Sequence, residues 1–467
     1  ADVADPRRTT FSWGGQAVGD EMRALEGWGE DYPGAAEPTV SSASLRIAEE
    51  SRQRVWNAGF FFQNVLDISN KYFVTTGVRV DGNSAFGEGF GLQVYPKASL
   101  SWVISDENFF PESLGQVKLR TAYGQSGRAP GAFDAVRTWS PVGWGGVPAF
   151  VPQNVGNPDL GPEVTREFEV GFDASLMNDR VNLTYTYFNQ FTTDALMRVT
   201  QTPSGGFGGS QLENVGKISN TGHEVGLNLG LVQYANYGWD VGIFFTTNGS
   251  EVVSLGGAAP FSSLSGWIQE GQPVPVERGR LVTNPTANAK PEYEQDYIFG
   301  PQLPTKTLSM NTSVRLPKGI VLSALGEYRG GHVIERNPIS ISRSVRSPIC
   351  RPFYTDPDNT ITLRDDTPAL WRARCTPSER GRGYWYDSSY FKLRHVSAQI
   401  PVDVAFPDRI NNALLTVTLS NSYLWTKELP WMDPETLGNQ GANSTGLNSS
   451  ERVVSPVTFR VSLRITF

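Results

Sequence analysis

Few residues in this chain could do chemistry, and they are scattered. The three histidines, His223, His332 and His395, lie far apart, and none shows an HxxxH or CxxC-type partner spacing that would hold a metal ion. The glycines of "SGGFGGS" and "NGS" lack the strand–loop–helix setting of a phosphate cradle. Two acidic stretches, "DPDN" from Asp356 and "RDD" ending at Asp366, offer oxygen ligands to a calcium ion, with plain loop solvation as the alternative. No nucleophile sits beside a base, so no enzyme activity, cofactor or metal is expected. Cys350 and Cys375, in one polar stretch, could close a loop of about 26 residues worth roughly 3 kcal/mol in an oxidising compartment; two free thiols are the alternative.

Aromatic side chains offer more. Trp139, Trp144, Phe150, Phe207, Trp267, Trp385 and Trp431 all fall in or beside long irregular stretches. There an exposed ring can stack on a sugar or a peptide side chain, or can simply pack one loop on another. These seven are the candidate ligand contacts.

What positions them is a β-rich scaffold. Aromatics are 11% and charged residues only 19% of 467 residues, with 48 glycines and five methionines. The formal net charge of −7, without a basic stripe, excludes nucleic acid as a partner. No apolar run approaches the ~18 residues of a membrane-spanning helix, a test that barrel strands escape because they alternate. Period-two runs recur instead. "RVNLTYTYF" sets Val181, Leu183, Tyr185 and Tyr187 against Asn182, Thr184 and Thr186. The chain closes with Phe459, Val461, Leu463, Ile465 and Phe467 alternating with Arg460, Ser462, Arg464 and Thr466. About thirteen strands follow, starting near residue 54, of roughly 10–14 residues where soluble domains favour five or six.

The connections sort by strand parity. Short ones such as "DISNK", "LMND" and "LPKG", with "SDENFFPESLG" and "PVDVAFPDRINN" a middling pair among them, take turns with long ones at 127–163, 191–219, 249–304, 330–388 and 422–455, the loop at 82–90 being the one brief member of the long class. A soluble sandwich has no cause for such sorting, whereas an up-and-down barrel in an outer membrane has short turns inside and long loops outside. The apolar face of the closing strand then meets lipid, its arginines a wet lumen, and Phe467 an interfacial aromatic girdle. An odd strand count ending in the periplasm makes residues 1–50 the tail of an external loop. Thirteen strands with open edges cannot stand in a bilayer, so further strands are expected to complete them.

A family resemblance joins here. "NKYFVTTGVRVDGNSAFGEGFGLQVYPKASLSW", "VKLRTAYGQSG", "NPDLGPEVTREFEVGFDASLMNDRVNLTYTYFNQFTTDAL", "NVGKISNTGHEVGLN", "ALLTVTLSNSYLWTKELPWMDPE" and the closing "SPVTFRVSLRITF" resemble, in order, the barrel of SusC/RagA-type TonB-linked outer-membrane receptors. The stretch 330–388 follows no such pattern. The resemblance implies a barrel of roughly twenty-two strands, of which this chain would be the carboxy-terminal part, with the amino-terminal plug absent from it. It also implies TonB, acting through that plug, a SusD-like surface lipoprotein and the upstream half of the barrel as partners. The expected function is import of oligosaccharides or oligopeptides across the bacterial outer membrane, with loops facing outward. A siderophore or vitamin receptor, or a non-transporting surface β-protein, are the alternatives.

Overall fold

The structure is a computed structural model describing residues 7–34, 38–88, 91–202, 204, 206–207, 209–263, 266–336, 349–356, 362–376, 384–402, 412–430, 433–436 and 456–466. Fourteen long strands dominate: β1 (Arg7–Glu30), β2 (Leu45–Ile68), β3 (Tyr72–Asn83), β4 (Gln93–Val103), β5 (Gln116–Arg128), β8 (Glu163–Leu176), β9 (Val181–Thr200), β10 (Ser210–Gln233), β11 (Gly238–Ser254), β16 (Lys306–Arg315), β17 (Val321–Gly330), β20 (Tyr390–Pro401), β21 (Asn412–Thr426) and β22 (Thr458–Thr466). They form one sheet in chain order, each beside its predecessor. The remaining strands sit inside long connections: β6 (Thr138–Trp144) and β7 (Val147–Asn154) between β5 and β8; β12 (Phe261–Ser263), β13 (Gly266–Ile268), β14 (Val276–Val282) and β15 (Tyr293–Pro301) between β11 and β16; β18 (Val333–Arg336) and β19 (Tyr384–Asp387) between β17 and β20. One short helix, α1 (Ala369–Cys375), precedes β19.

Thirteen of the long strands lie where the alternation puts them. The fourteenth, β1, is a correction: residues 7–30 are a strand, so 1–50 is not one external connection. β1 pairs with β2 without a register break, from Arg7↔Ile68 to Glu30↔Leu45. Phe11 meets Phe62 at 5.9 Å and Trp13 meets Phe60 at 6.5 Å between ring centroids, the cross-strand aromatic pairs that stabilise an antiparallel ladder. Further along, Arg54 pairs with Glu21 at 2.9 Å. The loop boundaries move as well. Residues 191–200 and 210–219, expected as connection, prolong β9 and β10, so that connection shrinks to 201–209.

Short turns are made by backbone that few residue types accept. Ser69 and Asn70 both adopt positive φ, 57° and 55°, and the Lys71 amide donates to the Ile68 carbonyl at 3.1 Å. That is the two-residue hairpin turn whose twist matches its strands. The chain divides into two compact units, residues 1–100, 122–166 and 192–216, and residues 101–121, 167–191 and 217–467. In the second unit one sheet face is polar: Asp173 receives Lys118 at 2.9 Å and Arg120 at 3.2 Å, and Arg120 also reaches the Thr186 hydroxyl at 2.5 Å. Its other face carries exposed Phe168 and Val170 on β8 and Val461 and Leu463 on β22. In the first unit Lys97 donates to Gln63 at 2.6 Å, and Arg79 binds both oxygens of Asp81.

Candidate functional site: a loop module and its ionic clamp

The long connections of the second unit build a body of their own. Val282 from the 255–305 connection, Ile334, Ala369, Tyr384 and Tyr386 from 331–389, and Leu429 from 427–457 form one buried cluster. Three connections thus share a single apolar core, which fixes them far more firmly than hydrogen bonds to water would. A second cluster gathers Cys350, Tyr354 and Cys375, with Trp371 against it. The two cysteines are joined by a disulfide with Cα atoms 5.6 Å apart. Helix α1 begins here, and its first amides do not go to water: Ala369 donates to the Ala287 carbonyl at 2.8 Å and Leu370 to Pro285 at 3.1 Å. A helix start stitched to the neighbouring connection satisfies donors that the helix itself cannot.

Trp385 and Trp267 belong to this packing. The Trp385 indole lies flat on Gly279, where any Cβ would collide with the ring. It stacks on Phe299 at 4.6 Å and 11°. Its N–H donates to Glu277 at 3.0 Å, and the other Glu277 oxygen accepts from Gln302 at 2.8 Å. Glu277 is buried, so these bonds replace water around a carboxylate that would otherwise be costly to bury. Arg278 lies over the Trp267 ring at 4.5 Å, and Arg374 lies over Trp371, Tyr384 and Tyr386 at 5.1, 4.8 and 4.4 Å.

Below the module is an ionic clamp. Lys392 on β20 is buried and binds Asp433 and Glu435, both at 2.6 Å. Glu435 also receives Tyr390 at 2.8 Å and Arg394 at 2.7 Å, while Arg394 reaches Glu327 on β17 at 2.8 Å. Burial pushes the Glu435 carboxyl up, but the bonds from Arg394, Lys392 and Tyr390 outweigh it and hold it at about 2. The clamp pins the 427–457 connection to the sheet. Its sequence signal was the "DPE" of the family pattern, in which Pro434 fixes the backbone between two acids. Buried His332, near Asp387 and Arg329, has an Nδ1 with no hydrogen-bond partner, and burial, with a small push from Arg329, lowers it to about 4 against the pull of Asp387.

In the first unit the aromatic candidates stay at the surface. Trp139 meets Phe207 edge-on at 5.5 Å, and the Arg137 guanidinium lies over Phe207 at 5.6 Å. Trp139 is half exposed, and Phe150, on β7, is 71% exposed. Trp144 ends β6, opposite Val147; its side chain, like Trp431 and Phe467 as a whole, lies outside the described residues. Among the described residues no group of three or more His, Cys, Asp or Glu side chains could hold a metal ion.

Residues 4–295, more than half of the chain, match the family described as TonB dependent receptor-like, beta-barrel. The chain belongs to this family. Barrels of the TonB-dependent receptor family are outer-membrane structures. The chain is 30% identical over 270 residues to TonB-dependent receptor P26 of Formosa agariphila, covering 55% of this chain and 27% of that protein. It is 24% identical over 263 residues to TonB-dependent receptor SusC of Bacteroides thetaiotaomicron, covering 51% and 25%. Its fold is similar to a chain of the RagAB peptide transporter, with a TM-score of 0.79 at 16% identity, across 100% of this chain and 54% of that one. The chain therefore spans about a quarter of the curated relatives named and about half of that solved chain. As a TonB-dependent-receptor barrel segment it is of the SusC/RagA type, as the quoted strand motifs imply.

Removing one partner of the buried Lys392–Asp433 pair should cost about 3–5 kcal/mol of anchoring. Lys392→Met is thus expected to make the 427–457 connection cleavable by protease in membranes where the parent resists. Acidification acts in two windows. His332, depressed below its ordinary value, contributes stability that is full above about pH 6.5 and lost as pH falls toward about 4. Glu435, also depressed, contributes stability that is full above about pH 4.5 and lost toward about 2. Protease sensitivity of the loop module against pH should rise in both windows, and His332→Gln should remove only the upper one. Reducing Cys350–Cys375 should destabilise the module by about 3 kcal/mol and leave the long strands intact, checked by hydrogen exchange.

Proposed function

We propose that this chain is the carboxy-terminal barrel portion of a TonB-dependent outer-membrane receptor that imports oligosaccharides or oligopeptides. The observation that carries this is the sorting of connections by strand parity in a chain of that family. Every second connection, 69–71, 104–115, 177–180, 234–237, 316–320 and 402–411, has at most twelve residues; of the alternating ones, 31–44, 129–162, 255–305, 331–389 and 427–457 are longer and hold β6–β7, β12–β15, β18, β19 and α1, while 84–92 and 201–209 are brief. In this reading the long connections face outward, the polar sheet face lines a wet lumen, and exposed Phe459, Val461, Leu463 and Ile465 face acyl chains. Residues 31–44 become the first outward loop, and β1 starts from the periplasmic side.

Among the described residues β1 and β22 each have one neighbour in the sheet. Open edges in hydrocarbon leave amides unsatisfied, which supports an upstream half supplying the missing partners. A plug engaging TonB and a SusD-like lipoprotein over the outer face complete the assembly in this proposal. Likeness to SusC and to a peptide transporter favours polymeric nutrients over siderophores or vitamins as cargo. Trp139 and Phe150 are the ligand contacts favoured by exposure, with the half-buried Phe207 against Trp139; Trp267 and Trp385 act through the shape of the loop module.

Cells producing the complete receptor should accumulate labelled oligosaccharide or oligopeptide while energised and stop when a protonophore is added. A growth defect confined to iron limitation would instead assign the siderophore alternative, and this segment produced alone is expected not to transport. On β22, Val461→Arg or Leu463→Arg should cost about 2–4 kcal/mol in urea unfolding from lipid vesicles, whereas Ser462→Arg should cost little. Equal costs at neighbouring positions would remove the lipid-facing assignment.

A further inference from the structure

The first unit holds a cavity of about 400 Å³ whose lining includes Phe61, Arg79, Asp81, Tyr95, Lys97 and Gln125. Most of these residues share the polar face of adjoining strands β2 to β5, since their positions alternate by two along each strand. Arg79, Asp81, Tyr95, Lys97 and Gln125 lie within four residues of the strand ends at 83 on β3, 93 on β4 and 128 on β5. The recess is built by glycines. Phe61 lies over Gly14, its direct partner on β1, with a ring atom 2.9 Å from where a Cβ would stand. Asp81 and Arg79 cover Gly59, Lys97 covers Gly77 with its ε-carbon at 2.9 Å, and the Tyr95 hydroxyl fills the space over Gly127. Four glycines on four strands thus let five side chains lie down along the wall, and the hollow above them stays open.

The chemistry left facing that hollow is specific. Arg79 uses its Nε on both Asp81 oxygens, at 2.9 and 2.7 Å, which turns the terminal guanidinium nitrogens to other acceptors. Lys97 spends one N–H on Gln63 at 2.6 Å and has two more to donate. Two cations against one carboxylate give the recess a net positive charge in a chain of net charge −7. Beside them the partly exposed Phe61 ring, packed against Gly14, offers an apolar surface of the kind on which a sugar ring stacks. The volume lies in the range of small-ligand sites and takes one or two sugar rings.

We propose that this recess binds the carboxylate-bearing ring of an acidic, uronate-type oligosaccharide, the carboxylate on Arg79 and Lys97 and the ring face on Phe61. This rests on the import reading above and narrows its cargo. An acidic peptide would satisfy the cations but leave the platform without a ring to stack, so it is the weaker occupant.

The test uses the complete receptor purified in detergent and three probes: a galacturonate hexamer, the same hexamer fully methyl-esterified, and hexaglutamate. The acid hexamer should bind, and esterification should weaken it at least about tenfold by removing charge-assisted bonds. Lys97→Met and Phe61→Ala should each weaken it by about tenfold, with both variants keeping the heat-modifiable gel mobility of the folded barrel. Equal binding of acid and ester, hexaglutamate binding as tightly as the sugar, no binding of any probe, or no effect of Lys97→Met would each overturn the proposal. Uptake of neutral oligomers by cells carrying Lys97→Met separates the two readings: retained uptake leaves import standing whatever the recess does, and acid-hexamer binding without any uptake leaves the recess standing alone.

Discussion

A strand surrounded by hydrocarbon has no water to satisfy its amides, so each N–H and C=O must find a partner across the sheet. The rest of this structure follows from that requirement. It explains why the long strands neighbour one another in chain order, since consecutive antiparallel pairing closes every ladder with the shortest connections. It also explains the uninterrupted β1–β2 register from Arg7 to Glu30. That ladder outlasts the ~10 residues a spanning strand needs, and its far half exchanges apolar pairs for ionic ones such as Glu21–Arg54. The same pairing can therefore continue into water, where side-chain charge takes over from side-chain burial.

Once the ladders are fixed, the polar face becomes crowded, because neighbouring strands bring side chains within about 5 Å of each other. Glycine relieves that crowding in several places. Gly242 lies between Asn228 and Asn311, both within 3.0 Å of the position its Cβ would take. Gly171 allows the Tyr185 carbonyl to come close. In the loop module Gly279 does the same for the Trp385 indole. In a sheet glycine usually weakens pairing; here it determines which side chains can lie flat, and hence where the wall is hollow or full.

The two units treat their longer connections differently. Those of the second unit share an apolar core, a disulfide and a clamp, so their aromatic rings are largely spent on one another. The β6–β7 hairpin of the first unit leaves Val147, Phe150 and Val151 exposed, at a cost in hydration that a folded surface bears most readily where something else will cover it.

Most of the scaffold was legible in the sequence because a lipid-facing strand must alternate, and alternation is a local signal. β1 escaped for a local reason too: Gly15, Gly19, Gly27 and Gly29 dilute its apolar face, and Asp20, Glu21, Arg23 and Glu26 erase the period in its far half. Glycine and acids read as loop unless the partner strand is known. The clamp showed only its acids, through the "DPE" pattern, and their pairing was hidden for a different reason. Lys392 and Arg394 announce only a polar face, and Asp433 follows 41 residues after Lys392, a separation at which charge pairing leaves no periodic trace. Ring placement was hidden likewise, since Trp385 and Phe150 look alike in sequence, and only Gly279, more than a hundred residues before Trp385, decides that one ring packs half-buried against backbone while the other stands in solvent.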